Sequence, residues 1–308
     1  MKTVNLAQNG KQVSSIVQGC MRIDALSDYQ LEALVEHQLE RGINFFDHAD
    51  CYGAGVCEEK FGKLLAARPK LRQQMTIQTK CGIRPGNFTV YDFSKKHILE
   101  SVDQSLRRLH TDHIDILLLH RPDALMEPEE VADAFDRLKE SGKVGHFGVS
   151  NQNPGQMKLL SKYLNRKLEI NQMQLSPART GMLDAGFNVN TSFDKGIDRD
   201  GGVIEYCRLE GITIQCWSPF QRGQIEGTFI GDEEYRELNC VLEQLAQKYD
   251  ISVNGAVIAW LLRHPADMQV VVGTVNDSRM DAIARAADVR LTREEWYQVY
   301  QAAGNVLP

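Results

Sequence analysis

The chain has 308 residues, room for two ordinary domains or for one large α/β barrel, since such barrels run to about 250 residues. Hydrophobic residues make up 43% and charged residues 25%, the balance of a globular chain with a sizeable core, and a formal net charge of -6 with no basic cluster denser than "SLRRLH" argues against a nucleic-acid partner. The N-terminal "MKTVNLAQNGKQVSS" lacks the apolar stretch of a signal peptide, no apolar run reaches the about 20 residues that span a bilayer, and seven scattered cysteines without CxxC spacing fit a reducing cytoplasm; a cytoplasmic monomer with no membrane partner is expected.

The opening predicts a β-hairpin: "KTVNLA", a turn at Asn9-Gly10, then "KQVSSIVQ". "SDYQLEALVEHQLERG" predicts a helix with Ser27 as N-cap, Gln30 three residues on, and Gly42 as the stop. The strand "INFFD", a helix around "CEEKFGKLLAA", the strand "MTIQTK" and the helix "SKKHILESVDQSLRRL" follow. Next come "IDILLLH", "PEEVADAFDRLKESG", "HFGVS", "PGQMKLLSKYL" and "EINQMQLS", again strand and helix in turn, then a long loop from Pro177 to Gly202. A helix near "GVIEYCRLEG", the strand "ITIQCWS", the helices "DEEYRELNCVLEQLAQKYD" and "SVNGAVIAWLLRH", the strand "MQVVVG" and two final helices complete the chain.

With "VSSIVQG" as the first, eight strands are each followed by helix, and the strands are near-continuous apolar runs, as in a parallel sheet buried on both faces. The pattern predicts one (β/α)8 barrel over residues 1–308, a single domain with an N-terminal hairpin and extra C-terminal helices. A doubly wound sheet is the alternative, weakened by the lack of G-x-G-x-x-G after the first strand.

Catalytic groups of such barrels sit at the C-terminal ends of strands. Those ends carry Asp47 with Tyr52 in the following loop, then Lys80, then His120. One purpose fits all four. Reducing a carbonyl leaves an alkoxide that needs a proton, and a phenol is a weak acid at neutral pH. A Lys80 ammonium would stabilise the phenolate, Asp47 would hold Lys80, and His120 would polarise the substrate oxygen. Taken singly, a lysine at a strand end is more often a surface charge and a histidine a packing group. Their sequence at successive strand ends is what favours chemistry. A metal site is the competing reading of "DHADC", but neighbours on a strand point oppositely, so Asp47 and His48 cannot easily share a metal; none is expected. Cys51 and Cys81 lie near the rim, where packing is favoured over a redox role.

The stretches "FFDHADCYG", "TKCG", "LLLHRPD", "GKVGHFGVSN", "NQMQLSP", "CWSPF" and "VVGTVNDSR" run in order along nearly the whole chain, and together they resemble the aldo-keto reductases, closest to the cytoplasmic bacterial branch. The resemblance implies an NADP-dependent reductase of aldehyde or ketone carbonyls, with Tyr52 as proton donor, Lys80 and Asp47 as its tuning pair and His120 orienting the substrate. It implies NADP(H) binding through Ser150, Asn151 and Gln172 at the carboxamide and through Trp217 against the nicotinamide. Ser218, Pro219, Phe220, Gln221, Arg222 and Gly223 resemble the pyrophosphate-covering loop. Gly273, Thr274 and Arg279 lie where a 2'-phosphate would sit, with Gly273 in place of a frequent lysine and Ala282 and Ile283 in place of a frequent Glu-Asn pair. Gly19, Cys20 and Met21 line the same site. Met21, Arg22, Tyr91 and Phe220 are pocket or rim candidates beside Tyr52 and His120, and Phe187 and Phe193 of the long loop are expected to fold over the substrate. The chain ends soon after "YQAAGNVLP", which implies an open pocket. A slow-turnover redox-sensing subunit with bound NADP(H), as in potassium-channel β-subunits, is the second reading.

Overall fold

The computed structural model describes residues 1–8, 10–223 and 227–308. Asn9 of the expected hairpin turn, and Gln224, the last residue of the expected phosphate loop "SPFQRGQ", lie outside them. β1 (Thr3–Asn5) pairs antiparallel with β2 (Gln12–Ser14), and β3 (Ile16–Gly19) is the first barrel strand. The single strand expected at "VSSIVQG" is therefore two. The break falls at Ser15 because that residue changes partner: its N–H donates to Lys2 O while its carbonyl accepts from Val270 N, both at 2.9 Å.

The barrel continues with β4 (Phe45–Asp47) and β5 (Thr76–Cys81). A short hairpin, β6 (Ile83–Arg84) with β7 (Val90–Tyr91), then interrupts it. β8 (Ile114–Leu119), β9 (Val144–Ser150), β10 (Ile170–Gln174), β11 (Thr213–Trp217) and β12 (Gln269–Val272) complete the ring, and β12 closes on β3. All eight barrel pairings are parallel. Strand pleat sends Val17, Phe45, Ile116, Leu118, Ile170 and Val271 into one interior cluster. Val4, Leu6 and Val13 of the hairpin join it, and Ala7 N–H donates to Thr213 Oγ1 at the start of β11 at 2.8 Å. The hairpin thus plugs the N-terminal mouth, each buried aliphatic side chain contributing roughly 1.5–3 kcal/mol.

Helices α1 (Asp28–Glu40), α2 (Val56–Ala67), α3 (Lys95–Leu109), α4 (Pro128–Glu140) and α5 (Pro154–Ser161) surround the first half. The Ser27–Gln30 capping box forms in both directions, Ser27 N–H to Gln30 Oε1 at 2.9 Å and Gln30 N–H to Ser27 Oγ at 3.2 Å. Helix α2 approaches α3 so closely at Gly62 that a Cβ there would lie 1.9 Å from Arg108 O.

The stretch from Pro177 to Gly202 is not a plain loop. It folds into α6 (Gly181–Phe187) and a 3-10 turn (Asp194–Gly196), with Met182 and Leu183 buried. After α7 (Val203–Glu210) come α8 (Arg236–Tyr249), α9 (Val253–Leu262), α10 (Asp277–Ala286) and α11 (Arg293–Ala302). Helix α9 is apolar on every side and buried from Gly255 to Leu262. Its Trp260 stacks on Trp296 of α11, centroids 5.0 Å apart, and each indole N–H donates to the other's backbone carbonyl, at 3.0 and 3.1 Å. No helix among the described residues is long and apolar enough to cross a membrane.

Candidate active site

The strand-end residues Asp47, Lys80 and His120 converge with Tyr52 of the following loop at the C-terminal mouth. β4 ends in Asp47, yet its ladder runs on: His48 N–H donates to Gln78 O at 2.8 Å and Asp50 N–H to Lys80 O at 3.0 Å. This pins the loop along β5. Tyr52 opens a tight 3-10 turn in which Gly53, Ala54 and Gly55 all have positive φ, a path the two glycines adopt without Cβ strain. The turn brings the phenol back over β5. Lys80, fully buried, donates from Nζ to the Asp47 carboxylate at 2.8 Å, to His48 O at 2.8 Å and to Tyr52 Oη at 3.1 Å. Its three hydrogens are all used. The His120 ring stands edge-on to Tyr52, centroids 5.8 Å apart.

The electrostatics follow from burial and these contacts. Burial disfavours the Lys80 ammonium, but the Asp47 charge and Tyr52 outweigh it and hold its pKa above the usual lysine range. Burial pushes the Tyr52 phenol up to about 12, with Lys80 pulling it down and Asp47 opposing that pull. A net lowering by Lys80 is therefore not the resting state of the site. Burial, then the Lys80 and Arg121 charges, holds His120 well below the ordinary range, so its imidazole is neutral. Cys51 Sγ lies 3.7 Å from His120 Nδ1. Burial and the nearby Asp50 raise that thiol to about 11, which keeps it protonated. Cys20 and Cys81 are fully buried and likewise raised, first by burial.

The other letters of "DHADC" turn away from the mouth. His48 packs edge-on against Phe61, centroids 4.6 Å apart, and burial with the Lys80 charge lowers its pKa to about 3. Asp50 is raised to about 7 by burial and by Glu58, partly offset by Arg108. Glu58 is itself buried, paired with Arg108 at 2.7 Å and accepting from Thr79 Oγ1 at 2.6 Å. Among the described residues no three His, Cys, Asp or Glu side chains gather as a metal site.

Beneath Asp47 lies a layer of glutamine amides. Gln78 Nε2 donates to Asp47 Oδ1 at 2.6 Å and to Gln215 Oε1 at 2.9 Å. Gln172 Nε2 donates to the same two oxygens, at 3.2 and 3.0 Å. Gln215 Nε2 donates to Gln269 Oε1 at 2.9 Å, and Gln269 Nε2 to Ser14 O at 2.8 Å. Both Gln172 amide hydrogens are thus committed, leaving its carbonyl oxygen for a further partner.

A second group gathers on the neighbouring rim. Asn151, in the left-handed region at φ 57, donates from Nδ2 to Ser150 Oγ at 2.7 Å and accepts at Oδ1 from Trp217 Nε1 at 3.1 Å. Ser150 Oγ donates to Gln172 O at 3.0 Å. The Arg121 guanidinium lies over the Trp217 ring, 5.5 Å from its centroid. Beside Trp217 and Asn151 opens a cavity of about 510 Å³, walled further by Gln174, Arg179 and Arg199; Tyr52 and His120 are not among its described walls.

Comparison with known proteins decides what this barrel is: the model of the aldo/keto reductase family matches residues 15–303. The chain belongs to the aldo/keto reductase family. It is similar to the uncharacterized oxidoreductase YcsN of Bacillus subtilis, 37% identical over 98% of both chains, and to a 6-dehydroglucose reductase of Agrobacterium fabrum, 35% identical over 95% of both. An aldo/keto reductase from Klebsiella pneumoniae, solved in complex with NADP and acetate, superposes with a TM-score of 0.76 at 21% identity over 100% of this chain and 97% of that one. The protein is thus an aldo-keto reductase-type oxidoreductase on a (β/α)8 barrel.

Other residues of this reductase fall as follows. Ser218 (φ 51) and the buried Pro219 turn the chain out of β11, and Phe220 packs against the core. Gln174 Nε2 holds Gly223 O at 2.8 Å and Ser176 Oγ holds Gln221 O at 3.2 Å. Arg222 is engaged by Asp232 at 2.7 Å and Glu234 at 3.5 Å, so the cation of this loop is ion-paired. A Cβ on Gly273 would meet nothing within 4 Å, and Thr274 is buried, its Oγ1 accepting from Asn276 N at 3.2 Å. Arg279 is exposed on the first turn of α10 and has no ion pair among the described residues. Gly19 ends β3 against Val271, 3.2 Å from the Cβ position, while Met21 and Arg22 are exposed. Tyr91 lies on the β6–β7 hairpin, 43% exposed.

Phe187 does not cover the mouth. Its ring packs against Tyr300, Tyr297 and Trp296 at 4.8, 5.9 and 6.4 Å, because burial among α11 aromatics removes more apolar surface from water than an open lid would. Phe193 is 48% exposed just before the 3-10 turn. Sequence reading missed Gln78, Gln215, Gln269 and Arg121. Spacing held a clue, since Gln78 and Gln215 stand two residues before Lys80 and Trp217 and so share their faces.

Proposed function

We propose that this chain reduces aldehyde or ketone carbonyls to alcohols with NADPH, Tyr52 giving the proton. The observation that carries this is Lys80 Nζ bridging Asp47 at 2.8 Å and Tyr52 Oη at 3.1 Å. The rim fits a nicotinamide dinucleotide on its own chemistry. Trp217 is a half-buried ring beside Asn151, the backbone at Gly273 stands open to close approach, and Arg279, at a helix N-terminus, is a cation with no ion pair among the described residues. Trp217, Ser150, Asn151 and Gln172 would hold the nicotinamide end; Thr274 and Arg279 would hold the 2'-phosphate end. With Arg222 ion-paired and the Gln221 and Arg222 N–H groups donating to Ser218 O and Gly227 O, both at 3.2 Å, the N–H groups of Phe220 and Gly223 would meet the pyrophosphate. When bound, NADPH supplies the hydride for the carbonyl carbon.

The chain's own groups handle the oxygen. His120 is neutral, with Nδ1 3.7 Å from Cys51 Sγ; with that thiol as donor its own proton lies on Nε2, from which it would donate to the carbonyl oxygen. As that oxygen gains a lone pair and negative charge, the Tyr52 O–H bond breaks, the proton forms the alcohol O–H, and the phenolate is held by Lys80. Asp47 keeps Lys80 charged throughout. Substrate-dependent NADPH oxidation across aldehydes, ketones and a 6-dehydro sugar tests the reading; no turnover of any carbonyl would overturn it.

A further inference from the structure

We propose that Gln215, with Gln78, Gln172 and Gln269, forms a positioning relay that holds Asp47 ionised and aimed at Lys80. The inference rests on the proton-transfer role of Tyr52, Lys80 and Asp47. All four glutamines are buried in the barrel interior, and register places Gln172, Gln215 and Gln269 side by side on three adjacent strands, with Asp47 beside Gln78 on two others. The polarity of the relay is set at one end. Ser14 O is a backbone carbonyl and only accepts, so Gln269 must turn its NH2 to it, at 2.8 Å. Its Oε1 then faces the Gln215 NH2, at 2.9 Å, which leaves Gln215 Oε1 to accept from Gln78 and Gln172 at 2.9 and 3.0 Å. The remaining hydrogens of those two amides reach Asp47 Oδ1, at 2.6 and 3.2 Å. Two N–H donors on one oxygen, with the Lys80 ammonium against the same carboxylate, are satisfied by a carboxylate and not by a carboxylic acid.

A second observation argues against mere filling. Gln78 Oε1 is buried without a hydrogen-bond partner among the described residues. Both hydrogens of its amide are committed to Asp47 and Gln215, so its carbonyl is left unpaired, a cost that an apolar side chain would avoid. The ionised groups facing Gln215 are Asp47 from β4 and Lys80 from β5. The other strands meet this level of the interior with amides and with aliphatic side chains such as Ile116, Ile170 and Val271.

The test uses Gln215→Met and Gln215→Glu in the full chain, with Tyr52→Phe in parallel. Gln215→Met removes the relay; its kcat should fall about ten-fold at every pH with NADPH affinity unchanged. Gln215→Glu restores the relay only when protonated, its O–H donating to Gln269 and its carbonyl accepting from Gln78 and Gln172. Burial and Asp47 raise the pKa of such a group above its unfolded value, so its stabilising contribution is full at low pH and is lost as pH rises through the folded pKa. Relative to wild type, kcat of Gln215→Glu should be near normal at about pH 5.5 and about ten-fold lower by about pH 8.5, and the melting temperature of the cofactor-free variant should fall over the same window. Wild-type kcat and pH profile in both variants would overturn the relay. So would a melting temperature that falls with pH while kcat stays level, or a Gln215→Glu protein inactive at every pH. If Tyr52→Phe keeps turnover, the proton-transfer reading fails and the relay with it; if Tyr52→Phe is inactive while the Gln215 variants behave as wild type, the relay alone fails.

Discussion

Lys80 Nζ stands 3.1 Å from Tyr52 Oη and 4.9 Å from the centroid of the same ring, so one fully buried ammonium serves as both hydrogen-bond partner and nearest charge of the phenol. Even so, burial leaves the phenol at about 12. In the proposed reaction the donor is therefore loaded at any neutral pH. Carbonyl reduction should show a flat kcat between about pH 6 and 9, and the reverse alcohol oxidation, which needs the phenolate, should climb with pH across that range. Initial rates in both directions over a constant-ionic-strength buffer series check this. A reduction rate that drops with an apparent pKa near 7 would assign the proton to another group.

Asp50 gives a stability prediction of opposite character. Its folded pKa, about 7, lies above the ordinary aspartate value because of burial and Glu58, and its Oδ1 is buried without a hydrogen-bond partner among the described residues. The folded state thus binds a proton the unfolded state has already lost between about pH 4 and 7, so stability falls as pH rises through that window. Asp50→Asn should remove this slope and gain about 1–2 kcal/mol over wild type at pH 8 relative to pH 5. Urea unfolding of both proteins at the two pH values measures it; an unchanged difference would mean that Asp50 finds a partner when ionised.

The Cys51–His120 contact sets a third expectation. If the thiol fixes the imidazole tautomer, Cys51→Ala should lower kcat a few-fold, by about the value of one weak hydrogen bond, and Cys51→Ser should restore most of it. Steady-state kinetics on one aldehyde suffice. Equal kcat in all three proteins would leave the tautomer to some other contact.

Much of this was legible from residue order alone. Apolar runs of strand length, alternating with capped amphipathic helices, pointed to the closed parallel barrel, and strand ends named Asp47, Lys80 and His120 because a barrel places those ends on one rim. What stayed hidden depended on contacts distant in the chain. A glutamine inside "TIQCW" or "MQVVVG" reads as a blemish in an apolar run until the closed register shows which way it points. Phe187 finds partners more than a hundred residues away in α11, so a loop aromatic looked like a lid. The Arg222 pairing with Asp232 is different: its partner is ten residues on and was open to inspection. The sign of the Tyr52 shift was hidden for another reason, since burial is a property of the assembled site.

Everything in the proposed reaction turns on Tyr52 delivering the proton. The most direct measurement is kcat for carbonyl reduction by Tyr52→Phe, with NADPH affinity read by quenching of tryptophan emission in the same preparation. Tyr52→Phe should lose kcat at least about a hundred-fold, within the about 10²–10⁴ that a positioned general acid contributes, with NADPH binding unchanged. A Tyr52→Phe protein that binds NADPH and reduces carbonyls at the wild-type rate would contradict it.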